Sequence, residues 1–131
     1  MKKKIIAAVM AITLLLAVFA MTVSAAYVKV FTVDDPNASI YYSIDLWENT
    51  TTHKYTMVGS ADNISGQVTV RLQCTVCYTD GTYDQGYANP GSSTVNVDVY
   101  YDTSKTIWYV DMEMHIFDGS SYIDTVSYVY P

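Results

Sequence analysis

Helix-forming residues are scarce once the first 26 residues are set apart: residues 27–131 hold 3 Ala and 2 Leu against 13 Tyr, 13 Val and 13 Thr. β-branched and aromatic side chains favour strands, so an all-helical protein is excluded. Basic residues are nearly as rare. Lys and Arg number 7 in the whole chain against 13 Asp and Glu, and Lys2, Lys3 and Lys4 belong to the leading segment. The other 105 residues carry four basic and thirteen acidic side chains, a formal charge of −9. Nucleic acid and anionic membrane surfaces would repel such a polyanion, which excludes both as partners.

Catalytic signatures are missing too. No G-x-S-x-G elbow and no Gly-rich phosphate loop occurs, so neither enzymatic activity nor a cofactor is expected. The only His are His53 and His115 and the only Cys are Cys74 and Cys77. They would have to converge through folding to hold zinc, and their spacing gives no reason to expect a metal site. Asp34-Asp35-Pro36-Asn37 and Asp80-Gly81 are acidic turns without a full calcium-ligand loop.

The one long apolar run is Ile5 to Val23, preceded by three lysines and ending at Val23-Ser24-Ala25-Ala26. This is the pattern of a secretion signal cleaved after Ala25 or Ala26. An uncleaved anchor is the competing reading, because 19 residues at ~1.5 Å rise nearly span a ~30 Å hydrocarbon core. The expected organisation is therefore a signal peptide over 1–26, helical while it lasts, and one domain over 27–131 exported from a bacterial cell. In that setting the sequons at Asn49 and Asn63 are read as chance rather than as glycan sites.

From residue 27 onward, apolar side chains recur at a period of two between polar turns, which predicts about eight strands. Tyr27 to Val33 is the first, closed by a turn at Pro36. Ser39 to Trp47 puts Ile40, Tyr42, Ile44 and Leu46 inward and Tyr41, Ser43, Asp45 and Trp47 outward, and His53 to Val58 returns beside it. Gly59 to Gly66 reads as a loop. Gln67 to Tyr78 alternates most regularly, with Val68, Val70, Leu72, Cys74, Val76 and Tyr78 inward. Asp80-Gly81 sends Thr82 to Tyr87 back alongside. Thr94 to Tyr101 points Val95, Val97, Val99 and Tyr101 inward, and Thr106 to Phe117 points Trp108, Val110, Met112, Met114 and Ile116 to one face. Tyr122 to Tyr130 is the last strand, its inward face unassigned. With no helix to cover a sheet, a second sheet must do so. The expected fold is all-β, an antiparallel two-layer β-sandwich, immunoglobulin-like or related. A membrane barrel is disfavoured, since eight strands of ~9 to 11 residues would consume nearly the whole domain before any turns.

Cys74 and Cys77 match C-x-x-C, but inside a strand positions i and i+3 lie ~10 Å apart on opposite faces, beyond the ~7 Å reach of a disulfide. Two unpaired thiols are expected, Cys74 in the core and Cys77 outward. Asp111, Glu113 and His115 share a face at ~6.5–7 Å steps, which reads as a solvated sheet face; an acid and base pair is the alternative. Outward aromatics carry the functional expectation. Tyr41 and Trp47 with Asp45 between them, Tyr100, and Tyr109 are the candidate ligand-binding residues, because flat rings beside carboxylates suit sugar faces or a protein partner. The expected role is thus a secreted, non-catalytic module that binds a glycan or a cell-surface protein. A bacteriocin-like antagonist and a small secreted hydrolase using Asp111, Glu113 and His115 are the alternatives.

Overall fold

The computed structural model of the chain describes residues 27–35, 40–62 and 68–131. Residues 1–26, expected to be a secretion signal, Pro36 and Asn37, and the sequon at Asn63 lie outside them. Eight strands follow one another: β1 (Tyr27–Asp35), β2 (Tyr41–Asn49), β3 (Lys54–Asp62), β4 (Val68–Tyr78), β5 (Tyr83–Ala88), β6 (Thr94–Tyr100), β7 (Ile107–Asp118) and β8 (Ser121–Tyr130). They form two four-stranded antiparallel sheets, ordered β1-β2-β3-β6 and β5-β4-β7-β8. Among the described residues there is no helix.

Local chemistry explains the hairpins. At the β2–β3 turn, the Asn49 side chain accepts hydrogen bonds from the backbone N–H groups of Thr51 and Thr52, both at 3.0 Å. Between β4 and β5, Asp80 accepts from the Thr82 N–H at 2.9 Å and its hydroxyl at 2.5 Å, and Gly81 takes φ of 84°. The two-residue β7–β8 link uses Gly119 at φ of 60°. Both glycines sit where a side chain would be strained, as tight hairpins require.

The inward residues of the two sheets form one core. Ile44, Leu46 and Met57 meet Val70, Leu72, Met112 and Met114, all fully buried. Each such side chain contributes about 1.5–3 kcal/mol by leaving water. The inward sets expected for β2, β4 and β6 are found facing the core, and β8 turns Val126, Tyr128 and Tyr130 inward. Polar groups at the margins are tied to one another, within and between the layers. Tyr42 and Tyr128 bring their hydroxyls within 2.9 Å, and Tyr78 donates to Asp84 while accepting from the Asp102 N–H at 2.7 Å. Among the described residues, no buried side-chain nitrogen or oxygen lacks a partner.

Two expectations are corrected. Gly59 to Asp62 is not a loop but the second half of β3, paired with both β2 and β6 through Ser60. The glycine that read as a breaker instead permits close approach, since a Cβ at Gly59 would lie 2.4 Å from Leu72 Cδ2. Trp108 does not join the core: it is 65% exposed. Cys77 pairs with Tyr109 but Tyr78 pairs with Ile107, so Trp108 is the extra residue of a β-bulge. The bulge gives the inward place to Ile107, which packs against the core, and turns the indole outward.

Candidate functional site

The two sheets present two outer faces, and the sequence-predicted aromatic residues divide between them. Tyr41, Asp45, Trp47 and Tyr100 all lie on the outer face of β1-β2-β3-β6, with Tyr41 at one end and Trp47 and Tyr100 toward the other. Tyr109 lies on the outer face of the opposite sheet. The five residues therefore do not form one patch.

On the first face the groups satisfy one another. Lys29 Nζ sits 4.9 Å over the Trp47 ring and 3.3 Å from the Asp45 carboxylate, which also accepts from Thr32 at 2.5 Å. Tyr27 packs on Trp47 with ring centroids 5.8 Å apart and donates its hydroxyl to Thr56, which in turn donates to Asp98 at 2.6 Å. Lys54 pairs with Asp98 at 3.1 Å and lies 5.7 Å from the Tyr100 ring. A cation resting on an indole occupies the π-surface that a sugar would need. Tyr41, bonded to Asp34 with its phenol raised accordingly, stands apart from this network.

The second face is built differently. Register aligns its side chains in rows across the strands: Tyr83, Cys77 and Tyr109, then Gln85, Thr75 and Asp111, then Tyr87, Gln73 and Glu113. The first row and the bulged Trp108 surround an open depression of about 280 Å³, lined by Cys77, Tyr78, Gly81, Thr82, Tyr83, Trp108 and Tyr109. Trp108 and Tyr109 meet edge to face at 5.2 Å, while Tyr83 is 63% exposed on the other side. The floor is firm, because Tyr78 is pinned below by Asp84 and the Asp102 backbone. Lys105 contacts two of the lining residues, with its Nζ 2.7 Å from Thr82 Oγ1 and 5.2 Å from the Tyr78 ring.

Polar groups flank this aromatic row. Gln85 donates to Thr75 at 2.7 Å and accepts from the Tyr87 hydroxyl at 2.5 Å. Burial, reinforced by the charge of Glu113, raises the Asp111 carboxyl above the usual range. A hydrogen bond with Cys77 raises the Tyr109 phenol. Cys77 itself is a free, half-buried thiol, whereas Cys74 is fully buried. Burial pushes Cys74 up to about 12, leaving it inert as a nucleophile at neutral pH. No group of three or more His, Cys, Asp or Glu side chains among the described residues could hold a metal ion.

Tyr83 and Trp108 were missed from the sequence. The signal for Trp108 was present: Ile107 to Val110 is four consecutive apolar residues, a break in an otherwise two-residue period. Compared with known proteins, the chain matches no family model, no curated protein and no solved structure.

Proposed function

We propose that this chain is exported by its N-terminal segment and serves outside the cell as a small non-catalytic binding module, taking a carbohydrate in the Tyr83, Trp108 and Tyr109 depression. The carrying observation is the bulge at Trp108, which exposes an indole beside two tyrosines on a rigid sheet. An uncovered apolar ring on a polar, acidic domain is a binding surface in search of an occupant. The C–H face of a sugar stacks on such rings, and Gln85, Thr82 and Asp111 are near enough along the strands to hydrogen-bond its hydroxyls. The charge of −9 carried by residues 27–131 favours neutral or amino sugars over acidic ones. The pairing of β2-β3-β6 against β5-β4-β7-β8 supports an immunoglobulin-like class for the scaffold, with β3–β6 and β4–β7 as the pairs that join strands distant in sequence.

The test is binding to a panel of neutral, amino and acidic glycans. Trp108→Ala should weaken the bound member at least tenfold, about 1.4 kcal/mol or more. Trp47→Ala should leave it unchanged, because Lys29 covers that ring. Equal binding by wild type and Trp108→Ala, or no binding across the panel, rejects the reading.

A further inference from the structure

Farther along the same face, β7 and β8 assemble a second constellation that the aromatic depression does not use. Glu113 Oε1 lies 2.6 Å from His115 Nε2, and His115 Nδ1 lies 3.0 Å from Thr125 Oγ1. Strand geometry produces this line: Glu113 and His115 alternate on one face of β7, and register sets Thr125 directly opposite His115. The carboxylate can only accept, so neutral His115 carries its proton on Nε2 and leaves the Nδ1 lone pair facing the Thr125 hydroxyl. Thr125 then donates to Nδ1, and the Tyr122 hydroxyl, 2.7 Å away, donates to Thr125. Tyr122 and Phe117 also brace the imidazole from one side, with the Tyr122 ring 6.4 Å from His115 and 6.0 Å from Phe117. Exposed Arg71 pairs with His115 from β4, bringing a cation to the same row.

We propose that Thr125 is an activated hydroxyl that accepts an acyl group from activated carboxylic esters. A carboxylate, an imidazole and a hydroxyl in sequence are what such a nucleophile requires. Thr125 Oγ1 forms a bond to the ester carbonyl carbon as its proton passes to His115 Nδ1. Glu113 stabilises the imidazolium. The carbonyl's bond to the leaving oxygen then breaks, and that oxygen takes the proton back from Nδ1, leaving an acyl-threonine ester and a free alcohol or phenol. Glu113 acts through His115 and is a positioning residue. Roughly 20 Å along β7 separates His115 from Tyr109, so this site stands or falls independently of carbohydrate binding.

The experiment is incubation of the purified protein with p-nitrophenyl acetate, followed by peptide mapping of the acetyl group. Thr125 should label at least roughly tenfold faster than any other threonine, and His115→Gln should remove that advantage. Thr125→Ser should keep the label at position 125 and Thr125→Val should abolish it. Glu113→Gln should slow labelling and Glu113→Asp should restore most of it, a pattern that loss of folding would not give. Acetyl spread evenly over the threonines, confined to lysines and tyrosines, or unchanged in His115→Gln overturns the proposal.

Discussion

Cys74 and Cys77 stand three positions apart on β4 and meet different surroundings, because successive side chains of a strand point to opposite faces. Burial pushes the Cys74 thiol up to about 12, while Cys77 opens onto the aromatic depression. Iodoacetamide should therefore modify Cys77 alone in the native protein and reach Cys74 only after unfolding; mass spectrometry of native and denatured samples checks this. Trp108 follows the same separation of stability from surface chemistry. Its replacement by Ala should change stability by no more than about 0.5 kcal/mol, since the ring adds little to the core. Asp111 behaves oppositely to a salt-bridged carboxylate. Its folded-state pKa is raised, so the stability it contributes is full below the unfolded carboxylate range and is lost as pH rises through the folded value. Asp111→Asn should accordingly raise Tm slightly at neutral pH and leave it unchanged in acid, where both side chains are neutral.

At the scale of elements, the period-two pattern made most strands and their inward faces legible, because one-sided burial dictates alternation. It failed where alternation itself fails. Gly59 read as a loop residue because glycine is rare in strand interiors, yet it lies beneath Leu72 and Met114, where any side chain would collide. Gly59→Ala should destabilise the protein by about 1–3 kcal/mol by overpacking the contact between β3 and β4. Denaturant melts of this variant beside Gly91→Ala, where nothing lies near the added methyl group, would separate crowding from chain stiffening. Trp108 was misread for a related reason: a single inserted residue reverses every orientation on one side of it, and periodicity cannot say on which side the insertion falls.

For the whole molecule, the sequence indicated two layers and the β2–β3 and β4–β5 hairpins, but not how the strands divide between the two sheets. That distinction decides which aromatics are neighbours. Tyr41, Trp47 and Tyr100 share a face because β2, β3 and β6 pair, whereas Tyr109 belongs to β7 on the far side. Pairing between β3 and β6 spans a long sequence separation, and no local propensity records it. The abundance of tyrosine has a global effect as well. A hydrogen bond to Tyr128 and burial push Tyr42 up to about 12, and burial with nearby carboxylates does the same for Tyr78 and Tyr101. Burial raises Tyr55 further still. An unfolded tyrosine ionises near pH 10, so the unfolded chain releases protons that the native one retains. Stability should therefore fall as pH rises above about 10, and these phenols should ionise together with unfolding. Parallel alkaline titrations followed by tyrosinate absorbance and far-ultraviolet dichroism test this; complete ionisation near pH 10 in a chain that stays folded would refute it.

The bulge opposite Cys77 and Tyr78 also bears on how this surface can diversify. Because one surplus residue is absorbed between two correctly seated neighbours, Ile107 and Tyr109, the interior on either side is insulated from what that residue is. Because the Trp108 ring is mostly in solvent, other non-proline side chains should stand there with little effect on the packing of the two sheets. The position is a socket: if the depression takes the proposed ligand, single substitutions there should alter its preference while the machinery of folding registers little of the change.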